Sequence, residues 1–579
     1  MRKSAQTLWP YLRRYKRGLA LGMGALTMKD LLAAMLPVVM RGGIDSLTHG
    51  FRIEIVLWLA AALVLISALK GVFQYWMRVI IIGISRDIEY EMRNDFFARL
   101  ISLSSDFYAR TRTGDIMARS TNDLNAVRMM LGPGIMYWTE TSLTFVLSVA
   151  VMLYVDWPLT LAALMPAPLV SFAVIYFGGK IHDRFEQIQK MFSDISSRVQ
   201  ENFAGVRLIR AYVQEEAEME QFRKLNLEYI GQNLKLVKTT GLFMPLLQAL
   251  IAITFLIVLW VGGARLLAGK ISLGSFVMFN TYMGMLIWPM IAMGWVVNLM
   301  QRGTASLTRI SEILDERPSI AAPAHPRPLT DVRGEIEFRG VDVRYGQVAA
   351  LSDVNMKIPA GSTVAIVGHT GCGKTSLVQL IPRLHDPQAG EVLFDGIDIK
   401  EFDPAEVRRH IGMVPQETFL FSATIAENIA FGVEPASRDE IVRAAQMAGL
   451  GPDIEEFPLG LDTVSGERGI TLSGGQKQRT AIARALMRDP KVLILDDALA
   501  SVDTLTEERI LRELAAVMRG RTTILISHRV STVRHADCIY VLDHGRIVER
   551  GTHDQLLAAG GYYADLHSKQ LLEDELEAI

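Results

Sequence analysis

The eight residues 368–375, which read GHTGCGKT, have the types and spacing of a phosphate-binding loop, GxxxxGK[ST]. An apolar run over 363–367 precedes them and predicts a buried strand that feeds the loop. Glycines let backbone N–H groups turn toward phosphate oxygens, and the next helix presents its positive N-terminus to the same anion. The pattern therefore predicts binding of ATP or GTP. The predicted nucleotide contacts in this loop are Gly368, Gly371, Gly373, Lys374, Thr375 and Ser376.

Metal and water chemistry is predicted where a second apolar strand, over 492–496, ends in two carboxylates. Asp496 is expected to hold Mg²⁺, directly or through water, together with the Thr375 hydroxyl, while Lys374 reaches the β- and γ-phosphates. A polarised water needs a base beside it, and Asp497 occupies that place. These residue types predict hydrolysis of a nucleotide.

The length and composition of the chain require two kinds of domain to position this chemistry. Its 579 residues exceed one ordinary domain, and half of them are hydrophobic. Apolar runs long enough to cross a bilayer lie in the first ~300 residues, and the remainder is typical of a soluble α/β domain. The net charge of −2 gives no sign of nucleic-acid binding. Cys372 and Cys538 imply no disulfide framework and fit a reducing cytoplasm.

We predict six membrane spans, joined alternately by short and long connections. Basic residues precede the first span and occupy the long connections, so these parts and the soluble domain are expected in the cytoplasm. Several prolines between Pro318 and Pro328 break the helical pattern. The predicted domains are a membrane domain over 1–302, a linker over 303–332 and a nucleotide-binding domain over 333–579. The predicted spans cover roughly 18–44, 55–84, 131–156, 158–182, 239–266 and 272–301.

Polar side chains inside the predicted spans are costly and need a reason. They could mark a substrate pathway or a proton-sensitive site, or they could form interhelical hydrogen bonds or lie at the water interface. Methionines in the sixth span would suit a promiscuous apolar cavity, although a Met-rich helix also packs in the ordinary way. The sequence leaves these alternatives open. The polar residues are Lys29, Asp30, Glu140, Gln248 and Asn280.

Residues 472–497, which read LSGGQKQRTAIARALMRDPKVLILDD, resemble the nucleotide-binding domain of ATP-binding cassette (ABC) transporters. In that family the first five residues, the signature loop, bind the γ-phosphate of ATP held by another subunit. The resemblance therefore implies a dimer with two ATP molecules between its subunits. Ser473 would supply a hydroxyl and Gly475 a backbone N–H at a helix N-terminus, which favours an anion. The segment 466–469, GERG, is similar to one that is typical of ABC exporters.

Three further residues and one loop match motifs of the same family. Tyr345 matches the aromatic residue that stacks on adenine. Gln416 matches the glutamine that contacts Mg²⁺ and the attacking water, and His528 matches the switch histidine that contacts the γ-phosphate. The segment 500–503 resembles a loop that crosses the dimer interface. The resemblance thus implies catalytic roles for Asp497, His528 and Gln416, with ATP and Mg²⁺ as cofactors.

The long connections after the second and fourth spans also resemble parts of ABC exporters. Residues 108–119 and 202–212 are similar to intracellular loops, whose helices extend below the membrane and dock on the nucleotide-binding domains. A pair of solvated amphipathic hairpins is the alternative. The implied fold is an all-α six-helix transmembrane domain with long cytoplasmic helical extensions, followed by an α/β P-loop ABC domain.

Asp497 departs from the pattern of this family. Members that hydrolyse ATP well usually carry Glu there, and a misplacement of about an ångström can cost roughly two orders of magnitude in rate. We therefore expect the site on this chain's own phosphate loop to bind ATP and to hydrolyse it slowly. The run 493–499 resembles that of MdlA-like subunits of bacterial heterodimeric multidrug exporters. In such pairs the weakened subunit supplies an intact signature loop to its partner's efficient site.

The leading hypothesis is ATP-driven efflux of amphipathic drugs or lipids across the bacterial cytoplasmic (inner) membrane. The chain would be one half of a transporter, paired with a different subunit that carries Glu after its own strand. A homodimeric lipid flippase of the lipid A type is the closest alternative. An ATP-gated channel or regulatory subunit is another, supported only by Asp497, and import by an exporter-like fold is a third. No motif in the sequence identifies the cargo.

Overall fold

The computed structural model describes residues 2–49, 53–466, 469–499 and 504–577. Within these ranges the chain divides into two compact units. The first contains 1–101 and 112–316, and the second contains 102–111 and 317–579.

The first unit consists of helices, and the six predicted membrane spans are confirmed. Each of six helices is long and apolar enough to cross a bilayer, and an N-terminal helix, Arg2–Arg14, precedes them. Local capping explains two of the boundaries. The Asp156 carboxylate accepts the N–H of Leu159 at the start of the fourth helix, and the Ser272 hydroxyl starts the sixth in the same way. The six long helices are Lys16–Thr48, Ile53–Ser102, Thr113–Val155, Trp157–Ala204, Glu215–Leu267 and Leu273–Asp315.

The last long helix continues past the end of the predicted membrane domain. Residues 303–315, which the sequence assigned to the linker, form its final turns. No proline lies between Pro289 and Pro318, and the helix ends where Glu316 becomes extended. The irregular connection therefore runs from Glu316 to the first strand of the second unit.

Polar side chains within the spans pair across helices. The Lys29 Nζ lies 2.8 Å from the Asp30 Oδ1 and 2.6 Å from the Glu140 Oε1, so it joins the first and third long helices. The Tyr282 hydroxyl donates to the Ala34 carbonyl and joins the sixth helix to the first. Such bonds hold transmembrane helices together, which supports the structural alternative for Lys29 and Glu140.

Gly303 is expected to be essential for packing in this unit. A Cβ added there would lie 2.3 Å from the Met130 Cβ, whereas one added at Gly284 on the same helix would meet nothing within 4 Å. Gly303→Ala should therefore destabilise the unit by about 1–3 kcal/mol through overpacking. Gly284→Ala should be neutral or stabilising, because alanine favours helices. Thermal unfolding in detergent measures both, and equal midpoints for the two variants would contradict this account.

The second unit is built on two β-sheets. The four-stranded antiparallel sheet has the order β2-β1-β4-β5, and the six-stranded sheet has the order β10-β9-β3-β8-β7-β6. In the second sheet only β10 pairs antiparallel. The strands are β1 Ile336–Tyr345, β2 Val348–Ile358, β3 Thr363–Val367, β4 Ala389–Phe394, β5 Ile397–Asp398, β6 Ile411–Val414, β7 Val492–Asp496, β8 Thr522–Ile526, β9 Cys538–Asp543 and β10 Arg546–Gly551.

The strand β1 is irregular in the middle. The apolar segments 336–338 and 341–345 both belong to it. Its register against β2 shifts between Phe338 and Val341, so an irregularity interrupts the alternation without ending the strand.

The five parallel strands of the six-stranded sheet are buried on both faces, which explains their continuous apolar runs. In β3, Ala365 and Val367 pack into one hydrophobic cluster, and Val364 and Ile366 pack into another. Successive side chains point to opposite faces of a strand, so each of these five strands contributes to both clusters. The helices around the sheets are Lys374–Gln379, Pro404–Arg409, Ile425–Ala430, Arg438–Met447, Gly451–Glu456, Gly474–Met487, Thr504–Met518, Val530–Val533, His553–Ala559 and Tyr562–Glu577.

A short segment that lies between two long helices in sequence packs with this second unit. The helix Ser105–Arg110 belongs to residues 102–111. The Ser105 hydroxyl donates to the Leu384 carbonyl at 3.0 Å, and the Asp106 Oδ1 lies 2.9 Å from the His385 Nδ1. The contacts involve residues just before the predicted intracellular loop 108–119, and the docking of that loop and of 202–212 stays a prediction.

Candidate functional site

The phosphate-binding loop leaves the end of β3 and closes against two neighbouring backbone segments. A Cβ on Gly368 would lie 2.1 Å from the Leu542 carbonyl oxygen. Gly373 has a φ of 108°, and a Cβ there would lie 2.4 Å from the Ala350 carbonyl oxygen. Only glycine fits at these two positions, so local sterics fix the path of the loop.

Lys374 places its positive charge over this loop. Its ammonium group donates to the carbonyl oxygens of Gly368 and His369, each at 2.8 Å. The charge therefore lies among the backbone groups that would surround the phosphates, and a compact ammonium on a flexible stem can move to a phosphate oxygen.

Asp496 is the last residue of β7 and its side chain is buried. Burial raises the pKa of its carboxyl, and the neighbouring Thr375 hydroxyl and Lys374 ammonium oppose that rise. Its Oδ2 has no hydrogen-bond partner among the described residues. A buried carboxylate oxygen in that condition is costly unless a cation or proton meets it. Together with the Thr375 hydroxyl and the Gln416 amide, it offers the oxygen ligands that Mg²⁺ prefers.

Asp497 is held in a strained conformation beside His528. Its φ is 50°, and its N–H donates to the Ile526 carbonyl at 2.9 Å. Its Oδ1 lies 3.0 Å from the Nδ1 of His528. This hydrogen bond raises the pKa of the His528 imidazole, against the opposite effect of burial. The carboxylate at the predicted position of the base is therefore engaged with His528.

The hydrogen bond between Asp497 and His528 should change the pH at which the His528 imidazole loses its proton. His528 is expected to titrate above the ordinary imidazole pKa of about 6.5, and Asp497→Asn should lower that pKa. Since the folded-state pKa is raised, the stability contributed by the pair is complete below about pH 6.5 and is lost as pH rises through the higher value. Histidine-selective NMR of the full chain, assigned with His528→Gln, measures the titration. An unchanged pKa in Asp497→Asn would contradict the assignment.

The structure brings most of the predicted residues together in one cleft of about 400 Å³. Tyr345 lies at its edge, half exposed, with its ring edge-to-face on His385 at 5.7 Å between centroids. Sequence reasoning missed Val348, Ala349 and Ala350 of β2 as walls of the cleft, because apolar residues in a strand carry no functional signal. It also did not single out Thr370 within the phosphate-binding loop. The predicted residues that line the cleft are Tyr345, Gly371, Gly373, Lys374, Thr375, Ser376, Gln416, Asp496, Asp497 and His528.

Ser473 and Gly475 do not line this cleft. The Ser473 hydroxyl accepts the N–H of Gln476 and caps the helix Gly474–Met487. The serine side chain is exposed, and Leu472 before it is buried. The signature loop is therefore a capped helix N-terminus that is separate from this chain's own phosphate loop. The predicted interface loop 500–503, and residues 467 and 468 of the GERG segment, lie outside the described residues.

Six membrane-crossing helices on one chain with this cleft define an ATP-hydrolysing membrane transporter. The family profile described as the ABC transporter transmembrane region matches residues 19–290, and the profile described as ABC transporter matches residues 351–500. The chain belongs to the ABC transporter family, and its activity is ATP hydrolysis coupled to transport.

Relatives and solved structures agree over almost the whole chain. The probable multidrug resistance ABC transporter ATP-binding/permease protein YheI of Bacillus subtilis (strain 168) is 38% identical, covering 93% of this chain and 92% of its own. The multidrug resistance-like ATP-binding protein MdlA of Escherichia coli (strain K12) is 35% identical, covering 100% and 98%. The ATP-dependent lipid A-core flippase of Syntrophus aciditrophicus (strain SB) is 35% identical, covering 96% and 93%. A bacterial Atm1-family ABC exporter with ATP bound has a TM-score of 0.79 at 28% identity, covering 96% and 98%.

These similarities confirm three of the sequence-based predictions. The chain is an exporter-type half with MdlA-like relatives, its fold is six membrane helices followed by an ABC domain, and it is an ATPase. The roles of individual site residues stay predictions.

Proposed function

We propose that this protein exports amphipathic compounds as the ATP-retaining half of an unequal ABC transporter pair. The observation that carries the proposal is the position of Asp497. Its side chain is one methylene shorter than that of Glu, and its carboxylate is hydrogen-bonded to His528. The intact signature loop lies apart from the same chain's cleft. The membrane would be the bacterial cytoplasmic membrane, with the ABC domain on the cytoplasmic side.

In this proposal the cleft holds ATP with its own residues in defined roles. Tyr345 stacks on adenine, Lys374 contacts the β- and γ-phosphates, and His528 contacts the γ-phosphate. Thr375, Asp496 and Gln416 hold Mg²⁺, which neutralises phosphate charge when bound. Asp497 is hydrogen-bonded to His528 at 3.0 Å, which leaves it poorly placed to activate water.

The signature loop supports the need for a second subunit. Ser473 and Gly475 lie at the start of a 14-residue helix, where exposed N–H groups and the helix dipole favour an anion. Because they do not line this chain's cleft, the phosphate they bind belongs to ATP on another chain. We propose that this other chain is a different subunit with Glu after its own strand.

Relatives named for multidrug resistance share the architecture over almost the full length, which supports an amphipathic cargo. The apolar cavity beside Val170, Phe255, Met283 and Met290 measures only about 20 Å³, which is too small for a drug or a lipid.

A homodimeric lipid flippase is the second candidate, because a lipid A-core flippase is 35% identical over 96% of this chain. Composition of the complex separates the two candidates. Purification of the untagged native complex is expected to yield two different subunits, and its inverted vesicles should accumulate a fluorescent amphipathic cation when ATP is supplied. A single species of subunit that moves labelled lipid A would support the flippase instead.

A further inference from the structure

The C-terminal helix Tyr562–Glu577 begins against the phosphate-binding loop. The Tyr562 ring packs edge-to-face on the His369 ring, with centroids 5.0 Å apart. The Glu549 carboxylate accepts the N–H groups of Tyr562 and Tyr563, at 2.5 Å and 3.1 Å. A carboxylate at a helix N-terminus is favoured by the exposed N–H groups and the helix dipole. The start of this helix is therefore fixed next to the nucleotide site.

Two turns further along the helix, the Gln570 side chain binds both ends of the turn formed by residues 528–530, the switch turn. Its Nε2 donates to the carbonyl oxygen of His528, and its Oε1 accepts the N–H of Val530 at 2.8 Å. Val530 starts the one-turn helix Val530–Val533, whose first N–H groups have no acceptor within that helix. Gln570 lies seven positions after the buried Tyr563, so both share the helix face that packs on the domain.

The switch turn is thus held from two sides. The Asp497 carboxylate contacts the imidazole of His528 at 3.0 Å, on the side of the cleft. Gln570 binds the backbone on both sides of Arg529, and the Arg529 N–H itself donates to the Ser527 hydroxyl at 3.0 Å. Because the turn is short and Gln570 binds both of its ends, a shift of the C-terminal helix would also shift the turn.

We propose that Gln570 is a positioning residue that sets the distance of His528 from the γ-phosphate, and with it the preference of the site for ATP over ADP. The inference rests on the proposed contact between His528 and that phosphate. Adenine and the inner phosphates meet other residues, so Gln570 should affect only the recognition of the third phosphate. A general weakening of the fold would lower affinity for both nucleotides.

The test compares the non-hydrolysable ATP analogue AMP-PNP with ADP on the full chain in nanodiscs with Mg²⁺. Each nucleotide displaces a fluorescent nucleotide from the site, and the ratio of the two affinities is the readout. His528→Ala should lower the preference for AMP-PNP about tenfold, as expected for loss of a hydrogen bond to a charged group. Gln570→Leu should lower it by at least about threefold, with ADP affinity within about twofold of wild type.

Three further variants sharpen the result. Combining Gln570→Leu with His528→Ala should lower the preference no further than His528→Ala alone, because the two act as one unit. Gln570→Glu keeps an acceptor for Val530 and should be intermediate. Lys569→Gln is the matched control on the same helix, because Lys569 pairs with the exposed Asp565 and, among the described side chains, with no residue of the cleft. It should behave as wild type.

Several outcomes would overturn the inference. Gln570→Leu could keep the wild-type preference while His528→Ala loses it, or the two losses could be additive in the double variant. An equal loss of affinity for AMP-PNP and ADP in Gln570→Leu would show that Gln570 only stabilises the fold and does not position His528. If His528→Ala itself keeps the preference, the proposed role of His528 is wrong, and the inference falls with it.

Discussion

Gly475→Asp is expected to collapse ATP turnover by the assembled transporter, although Gly475 lies outside this chain's own cleft. The residue is in the first turn of the helix Gly474–Met487, where its N–H would face the γ-phosphate on the partner. A carboxylate there replaces attraction by repulsion and removes stabilisation of the transition state. Loss of one such group costs about 10²–10³-fold in kcat. Steady-state ATPase activity of the purified complex measures the effect.

Asp497→Asn is the matched comparison in the same chain. If this chain's site is already slow, removing the carboxylate should change turnover of the complex by no more than about twofold, because little of the rate passes through it. Nucleotide binding to this chain should be retained in both variants. A collapse of activity in Asp497→Asn would show that Asp497 is a working base and would refute the division of labour.

Gly373→Ala should abolish nucleotide binding at this chain's own site. At a φ of 108° a side chain is strained, and the added Cβ would lie 2.4 Å from the Ala350 carbonyl oxygen. Relieving that contact displaces the loop N–H groups, and strain of about 1–3 kcal/mol alone corresponds to roughly 5–150-fold in affinity. Displacement of a fluorescent nucleotide from the full chain measures the change.

Gly396→Ala is the control for Gly373→Ala, because it introduces the same backbone strain at a position outside the cleft. Gly396 has a φ of 83°, but a Cβ there would meet nothing within 4 Å, and it lies outside the cleft. The variant should bind nucleotide as wild type does, with a loss of stability of about 1–3 kcal/mol from the strained φ. Equal losses of binding in Gly373→Ala and Gly396→Ala would mean that local sterics at the loop do not set affinity.

The linear motifs of the site could be predicted because strand, loop and helix follow one another in the chain. Gly368 to Ser376 form one continuous segment, and Asp496 ends its own strand. The hydrogen bond between Asp497 and His528 could not be predicted in this way. It depends on the parallel pairing of β7 with β8, which sets Asp496 opposite Ile526.

Other features left no pattern in the sequence. Gln570 lies in a polar segment near the C-terminus, and only the packing of that helix brings its amide to the switch turn. The last membrane helix passed the predicted boundary at 302 because no proline follows before Asp315, and the close packing of Gly303 keeps that glycine within the helix. The six spans could be found, since the length of an apolar run decides whether it crosses a bilayer.

Trapping of nucleotide on each subunit tests the unequal pair most directly. The complex would turn over photoactivatable ATP carrying distinct α- and γ-phosphate labels, with vanadate added to arrest the hydrolysing site. We predict that this chain retains both labels, as unhydrolysed ATP, while a different subunit retains only the α-label. Loss of the γ-label from this chain at the same rate as from its partner, or a complex of identical chains, would contradict the account.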